Sequence, residues 1–172
     1  TSEFIDALLR EKERALPSVA VTVENAGLYG PEDTRYYLHD VHHLRDLADQ
    51  YDVSLTFDTS HAGTTPEGLI GSYELLCDRV VNIHLSDLLP RRLRPNWKPL
   101  QTVLVHHQMP GQGTLPLAGF LHRLVKDNYS GVLTLEPSPV ALHAYSLARA
   151  EQRLQQAVTF VRHELAAPSS SG

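Results

Sequence analysis

The stretch LTFDTSHAG, residues 55–63, joins a run typical of a buried strand to two polar side chains. The run stops at Asp58, and His61 follows three residues later in a small, polar turn. A carboxylate and an imidazole at the mouth of a strand are candidate ligands or proton carriers where neighbouring strands end in the same way.

Four segments have the composition of strands that are buried on both faces, because each is a continuous apolar run without clean alternation. They predict strands over 19–24, 53–58 and 80–85, and a fourth in GVLTLEP that ends at Glu136. Apolar residues at helical spacing predict helices between and around the strands. The predicted helices cover 3–15, 34–50, 66–77, about 117–125, and 138 to about 165.

Two of these helices have recognisable starts. Asp33 or Thr34 can cap the second helix, and Thr65 followed by Pro66 is a cap with a first-turn proline for the third. The segment 88–113 is too long for an ordinary connection, and segments of that length are usually functional or disordered.

The order of elements is one helix followed by four β–α units, which is typical of a parallel sheet covered by helices. Four units are half of a (β/α)8 barrel, whose full form takes about 250 residues. The sequence predicts an α/β fold of parallel barrel type, the C-terminal half of a TIM barrel, over 1–165, with a flexible tail at 166–172. A half barrel exposes two sheet edges, so a second copy in a homodimer or the missing N-terminal half has to close it.

Each predicted strand delivers a metal-type ligand at its C-terminal end. The residues are Glu24, Asp58, His84 and Glu136. A single carboxylate at such a place is commonly a turn former or a helix cap, but four together on one face would repel one another without a cation. Three carboxylates and an imidazole suit Mn²⁺, Mg²⁺ or Co²⁺, and Zn²⁺ is favoured as histidines are added.

Composition limits the other classes of function. A net charge of −5 over 172 residues gives no overall reason to expect a nucleic-acid partner. The single cysteine, Cys77, excludes an internal disulfide and fits a reducing compartment. No apolar run approaches the roughly 20 residues of a membrane span, and no signal peptide is visible, so a cytoplasmic location is expected.

Five motifs carry a family resemblance, namely VTVEN, LTFDTSHAG, VNIHLSD, PGQGTLPL and GVLTLEP. In this order and spacing they resemble the strand-end motifs of the xylose isomerase-like TIM-barrel superfamily, which includes sugar phosphate isomerases and epimerases and the endonuclease IV group. The resemblance covers about residues 1–165. It implies a metal site made by Glu24, Asp58, His84 and Glu136. It also implies that His61, the histidine of a D-x-x-H motif, helps to hold substrate or a further metal.

The isomerase and epimerase members imply a reaction for this chain on a sugar or sugar phosphate. A proton is removed next to a carbonyl, a metal-stabilised enediolate forms, and the proton is returned elsewhere. Glu24 and Glu136 would be the acid/base pair, each also touching the metal. Asp87, in the motif HLSD, is expected to orient His84 or its own loop.

Three further residues are candidates for substrate binding. Gly111 and Gly113 precede a predicted helix, so their loop either presents amides to an anion such as phosphate or is a turn that needs positive φ. His107 aligns with a second-metal histidine of the endonuclease IV group, although Val105 occupies the place where that group has an aspartate.

Two alternative functions remain. A zinc phosphodiesterase acting at abasic DNA is supported by DTSHAG, by His107 and by the basic segment RRLRPNWK at 91–98, which could grip phosphate or simply face water. That function requires extra histidines from the first half of the barrel. A truncated barrel with no catalytic activity is the other alternative.

Overall fold

In the computed structural model, which describes residues 2–29, 37–90 and 98–167, four parallel strands form one sheet. Their order in the sheet is the same as their order in the chain. Helical crossovers therefore connect each strand to its neighbour. The strands are β1 (Thr22–Glu24), β2 (Ser54–Asp58), β3 (Val80–Leu85) and β4 (Val132–Leu135).

Helices precede the first strand and follow every strand in the described ranges. They are α1 (Ser2–Ala15), α2 (Val41–Tyr51), α3 (Thr59–Ala62), α4 (Gly68–Leu76), α5 (Lys98–Leu104), α6 (Leu117–Lys126) and α7 (Leu147–Ala166), with one short 3-10 helix at Tyr37–His39. None of these described helices combines the length and the apolarity that crossing a bilayer requires.

Parallel strands joined by helices are the architecture that the sequence predicts, and the α/β fold is confirmed. The described residues supply four of the eight strands of a closed barrel. That these four units form the C-terminal half of the barrel stays a prediction.

The second helix begins at Val41, later than the predicted start at 34. Asp40 has an extended backbone, and its carboxylate accepts the N–H groups of the second and third residues of α2. It is therefore the N-cap of this helix. The caps predicted at positions 33 and 34 lie outside the described residues.

Two more helices begin later than predicted, because the backbone turns before each of them. Gly68 has a φ of +66°, so the start predicted at Pro66 is wrong and α4 begins at Gly68. The last helix begins at Leu147 and not at 138. Turns fill the intervening segment, and His143 within it has a φ of +56°, which is not a helical conformation.

The structure describes only part of two other predicted segments. The long segment 88–113, predicted to be irregular, contains α5 (Lys98–Leu104), while residues 91–97 lie outside the described ranges. The tail was predicted at 166–172, but α7 continues to Ala166. Residues 168–172 lie outside the described residues.

The outer face of the sheet forms the core against the helices. Phe57, Ile83 and Leu85 on this face are fully buried. The ring of Phe57 lies 5.7 Å from that of Tyr73 on α4 and 5.9 Å from that of Phe120 on α6. These contacts hold the sheet against two of its helices and so fix the direction of the strand ends.

The inner face of the sheet differs from the prediction, which had strands buried by apolar contacts on both faces. Its side chains include two hydrogen-bonded polar pairs, Thr22 with Thr56 at 2.8 Å and Thr134 with Asn82 at 3.0 Å. Successive side chains of a strand alternate between faces, so the outer positions carry the apolar residues. The inner face therefore carries a polar row that leads to the strand ends.

Candidate metal centre

The carboxyl ends of the strands bring Glu24, Asp58, His84 and Glu136 together. Asp58 and His84 are register partners on β2 and β3, Glu24 is the last residue of β1, and Glu136 directly follows β4. Each side chain offers one potential ligand atom, and the four atoms lie within 4.8 Å of one another. Ligand atoms about 2.0–2.6 Å from one ion are at most about 5 Å apart, so a single cation can contact all four.

Asp58 is both a helix cap and a candidate ligand. Its side chain is 0% exposed. One oxygen, Oδ1, accepts the backbone N–H of His61 at 2.7 Å and the hydroxyl of Ser60 at 2.9 Å, which caps α3. The other oxygen, Oδ2, is buried and has no hydrogen-bond partner among the described residues. Capping therefore occupies one oxygen and leaves the second for another partner.

His84 and Glu136 provide two more buried atoms of this kind. His84 Nδ1 lies 2.7 Å from Glu136 Oε2 and 3.5 Å from Glu24 Oε1. Despite the short distance, His84 Nδ1 and Glu136 Oε2 do not have hydrogen-bond geometry, and neither has a hydrogen-bond partner in the part of the chain described. Buried polar atoms are normally paired, and a divalent cation would pair all of them at once. The residues present therefore fit a bound metal ion.

A second group lies beside the first and shares Asp58 with it. Asp58, His61 and His107 each offer a ligand atom, and these atoms also lie within 4.8 Å of one another. His61 Nδ1–H donates to the carbonyl of Asn25 at 2.9 Å, which leaves the lone pair of this imidazole on Nε2. His107 Nδ1 is 3.7 Å from Asp58 Oδ2, and the two imidazole rings are 5.1 Å apart.

The parallel arrangement of strands and helices agrees with the result of a family comparison. The model of the family described as "Xylose isomerase-like TIM barrel" matches residues 6–163. The chain belongs to this family. Among curated proteins, a sequence search finds no significant match.

Three solved structures resemble this xylose isomerase-like chain over 92–95% of its length. D-psicose 3-epimerase from Clostridium cellulolyticum H10, solved with D-tagatose, has a TM-score of 0.69 at 16% identity, and 55% of its chain is covered. The 3-keto-D-glucoside 4-epimerase from E. coli, in its apo form, has a TM-score of 0.64 at 18% identity, and 52% of its chain is covered. A D-tagatose 3-epimerase-like protein has a TM-score of 0.60 at 17% identity, and 55% of its chain is covered. The xylose isomerase-like chain thus spans about half the length of these structures, and the likeness concerns the fold.

Glu24 is the member of the cluster with the clearest electrostatic perturbation. Burial raises its pKa above the ordinary value of 4.5, and the negative charge of Asp58 raises it further. The imidazoles of His84 and His61 act in the opposite direction. A cation at the centre would stabilise the ionised carboxylate, so metal binding and loss of this proton are coupled.

We expect Glu24→Gln to make the stability of the metal-free protein less dependent on pH. The folded chain holds the Glu24 proton more tightly than the unfolded chain, whose carboxyl titrates near 4.5. The free energy of unfolding contributed by this group therefore falls as the pH rises above about 4.5, and the whole loss is present above the folded pKa. Urea unfolding is measured between pH 4 and 8 in the presence of a chelator. The free energy of unfolding should fall less steeply with rising pH in the variant than in the wild type.

The matched control for this experiment is Glu151→Gln, at an exposed position on α7. It should keep the pH profile of the wild type, because its side chain faces solvent and lies outside both ligand groups. An unchanged profile for Glu24→Gln would contradict the expectation.

The glycine loop is held by Asp87 and not left open for an anion. Asp87 is 1% exposed, and its Oδ2 accepts the N–H of Gly111 at 3.1 Å and that of Gly113 at 2.8 Å. The phosphate site predicted at these amides is therefore not available in this conformation, because a carboxylate already occupies both donors. Gly111 has a φ of +80°, which agrees with the alternative of a turn that needs glycine, and α6 begins only at Leu117.

Asp87 was expected to orient either His84 or its own loop, and its contacts support the second role. Its Oδ1 accepts the N–H of Leu88 at 2.8 Å and that of Leu115 at 3.1 Å, so the carboxylate binds four backbone amides. His84 is not among its hydrogen-bond partners within the described residues. The carboxylate fixes the loop that follows His107 against the end of β3.

We expect Asp87→Ala to lower the free energy of unfolding by about 2–4 kcal/mol, because several amide donors lose their acceptor. Asp87→Asn is the matched variant, since it keeps one acceptor oxygen of the same shape and should cost less. Denaturant unfolding measures both values. A change below about 0.5 kcal/mol for Asp87→Ala, typical of a surface substitution, would contradict the prediction.

Several residues near the strand ends were not predicted from the sequence to belong to a site. A cavity of about 220 Å³ lies among the loops that follow β1, β2 and β3. Its lining includes Tyr29, Thr64 and His106, and the rings of Tyr29 and His106 are 4.5 Å apart. His106 is buried, although its sequence context gave it no role; the only signal was its place beside His107. Most of the basic segment at 91–98 lies outside the described residues.

Proposed function

We propose that this chain forms the metal-binding part of an active site that isomerises or epimerises a sugar or sugar phosphate by proton transfer. The observation that carries the proposal is the convergence of three carboxylates and an imidazole at the strand ends, where Asp58, His84 and Glu136 each present a buried ligand atom with no hydrogen-bond partner among the described residues. The solved structures with a similar fold include a D-psicose 3-epimerase and a 3-keto-D-glucoside 4-epimerase, which supports a sugar as the substrate class.

Glu24, Asp58, His84 and Glu136 would hold the cation. This ligand set suits Mn²⁺, Mg²⁺ or Co²⁺, and it also admits Zn²⁺. When bound, the ion supplies polarisation of the substrate carbonyl and neutralisation of the negative charge that develops next to it. Asp58 contributes a fully buried carboxylate, and the His84 imidazole lies between the other two, with Nδ1 3.5 Å from Glu24 Oε1 and 2.7 Å from Glu136 Oε2.

Glu24 and Glu136 are the proposed proton carriers. Their ligand atoms come from β1 and from the end of β4, the two outer strands of the described sheet, yet lie within 4.8 Å of each other. One carboxylate oxygen can accept the proton next to the carbonyl, which gives an enediolate, and the other carboxylate can return a proton to the opposite face or to the neighbouring carbon. Both side chains are partly exposed, at 39% and 45%, so they are accessible to a substrate.

His61 and His107 are proposed to bind substrate oxygens next to this pair. Together with Asp58 they could also hold a second cation, since their ligand atoms are as close together as those of the first group. Binding a cation needs a neutral imidazole with a free lone pair, and the same lone pair can accept a hydrogen bond from a substrate hydroxyl. For His61 that lone pair is on Nε2, because its Nδ1–H is bonded to the Asn25 carbonyl.

Completion of the pocket requires more strands than the four described here. A second copy of the chain or additional β–α units of a longer protein would close the barrel and supply the rest of the substrate contacts. The exposed inner residue Val132 at the start of β4, which is 60% exposed, fits a sheet face that another element covers.

The function is tested by metal analysis combined with isotope exchange. Purified protein is analysed for bound metals and then incubated in D₂O with Mn²⁺ and D-psicose or D-tagatose, while ¹H NMR follows the C–H groups next to the carbonyl. We expect bound divalent metal and deuterium incorporation that a chelator abolishes. Protein that binds no divalent metal would contradict the proposal, and so would a closed barrel, formed with a second copy or with the further β–α units, that binds metal without exchange on these sugars or their phosphates.

A zinc phosphodiesterase acting at abasic DNA is the second candidate. The group formed by Asp58, His61 and His107 favours it, because such a mechanism uses more than one cation. Several zinc ions per chain and cleavage of an oligonucleotide with an abasic site would support this function over the epimerase.

A further inference from the structure

The ladder between β1 and β2 ends before the ligand on β2 is reached. Its last register pair is Glu24 with Thr56, so Asp58 lies two residues beyond the ladder on this side. Asp58 is fully buried, and its backbone N–H and carbonyl need partners there. The side chain of Asn25 provides both, since its Oδ1 accepts the Asp58 N–H at 2.7 Å and its Nδ2 donates to the Asp58 carbonyl at 3.0 Å.

Asn25 also acts on the second group. Its backbone carbonyl accepts the Nδ1–H of His61 at 2.9 Å. Asn25 is only 1% exposed, so these bonds are shielded from competing water. One residue thus fixes the backbone of Asp58 and the ring of His61 relative to the end of β1.

Thr59 makes the same kind of hydrogen-bonded connection between β2 and β3. The last register pair of that ladder is Asp58 with His84, and Ser86 lies two residues beyond it. The Thr59 hydroxyl donates to the Ser86 carbonyl at 2.6 Å and accepts the Ser86 N–H at 3.0 Å. Thr59 is fully buried. In both cases the residue directly after a ligand replaces the ladder hydrogen bonds with side-chain hydrogen bonds to the next strand.

We propose that Asn25 and Thr59 are positioning residues that set the spacing of the cation ligands. A metal ion tolerates errors of only about 0.2 Å in its ligand distances, whereas strands without ladder bonds are free to separate. Each of the two side chains ties the end of one ligand-bearing strand to the next and so keeps Glu24, Asp58 and His84 at the distance a cation needs. This inference rests on the cation binding in the proposed function.

The test measures Mn²⁺ affinity of the 172-residue chain by isothermal titration calorimetry, after removal of bound metal and below the unfolding temperature of every variant. Asn25→Ala removes the bonds to Asp58, and Thr59→Val replaces the hydroxyl by a methyl group of similar size. We expect the Kd for Mn²⁺ to rise about 10- to 100-fold in each, the effect typical of groups that orient metal ligands. Thr59→Ser keeps the hydroxyl and should stay within about twofold of the wild type.

Thr65→Val is the matched control for a merely structural effect. Thr65 is buried, and its hydroxyl makes two hydrogen bonds, to the Ala62 carbonyl at 2.9 Å and to the Ser72 hydroxyl at 3.0 Å, but it bonds neither to Asp58 nor to Ser86. This variant should lose stability in thermal unfolding and keep its Mn²⁺ affinity.

The outcomes separate this inference from the proposed function. Wild-type affinity in Thr59→Val and in folded Asn25→Ala overturns the positioning role and leaves the proposed function standing. An equal loss of affinity in Thr65→Val also overturns it, because the effect would then follow from stability alone. If Asn25→Ala does not fold, Thr59→Val and Thr59→Ser decide the question. A wild type that binds no Mn²⁺ overturns the proposed function and this inference with it.

Discussion

Glu136→Gln is expected to reduce exchange of the substrate C–H proton with solvent by about 10²- to 10⁴-fold. The amide has the shape of the carboxylate, but it does not accept a proton near neutral pH, so proton transfer loses one of its two carriers. General acid–base catalysis contributes about 10²- to 10⁴-fold to a rate, and kcat should fall by a factor in this range. Because Glu136 Oε2 is also one of the unpaired buried ligand atoms, a weaker affinity for the cation is expected in addition.

The two effects are separated by measuring deuterium exchange at saturating Mn²⁺, where weaker binding no longer limits the rate. Glu74→Gln is the matched control, because Glu74 pairs with Arg123 on the outer helices and does not contact the site. It should keep the wild-type exchange rate. Exchange by Glu136→Gln at the rate of the wild type under these conditions would contradict a role of this residue in proton transfer.

Asp58→Asn is expected to weaken Mn²⁺ binding by at least about 100-fold, which exceeds the usual effect of residues that only orient ligands. Asp58 belongs to both ligand groups and is the only one of the six residues in them whose side chain is fully buried, so its charge acts at low effective dielectric. Asparagine caps helices as well as aspartate does, and its oxygen can keep the bonds that Asp58 Oδ1 makes to His61 and Ser60. The substitution therefore changes the charge and one ligand atom while keeping the cap.

Calorimetric titration measures the affinity of the variant for Mn²⁺. Thermal unfolding without metal tests whether the cap of α3 is kept. Asp40→Asn is the control, because Asp40 caps α2 in the same way but lies outside both ligand groups. It should leave Mn²⁺ affinity unchanged. If Asp58→Asn binds Mn²⁺ as tightly as the wild type, the cation does not bind at this cluster.

The end of a strand could be predicted from the sequence because an apolar run stops there at a polar side chain. In LTFDTSHAG the run gives the strand and Asp58 is its last residue, whereas the short helix α3 that Asp58 caps was predicted only as a small, polar turn. In a parallel sheet all such ends lie on one edge, so residues far apart in the chain become neighbours without any knowledge of their side-chain contacts. The grouping of the four candidate ligands follows from that rule.

The starts of helices were predicted less well, because they depend on single backbone torsions and on competing caps. Gly68, with its positive φ, delays α4, and Asp40 caps α2 in place of the residues predicted further upstream. The fate of the Gly111 and Gly113 amides also depends on a contact that local sequence does not contain. Asp87, 24 and 26 residues away, takes both donors that an anion would have used.

The sequence by itself determined the alternation of strands and helices, the residue types at the strand ends and the family, because these follow from periodicity and from ordered motifs along the chain. Only the tertiary structure decided which polar groups remain unpaired and which are already bonded. Asp58 Oδ2 stays without a hydrogen-bond partner among the described residues, whereas the carboxylate of Asp87 and the side chains of Asn25 and Thr59 are hydrogen-bonded to backbone groups. The physical reason is that hydrogen-bond satisfaction of a buried group depends on distances of a few tenths of an ångström between distant segments, which no local pattern encodes.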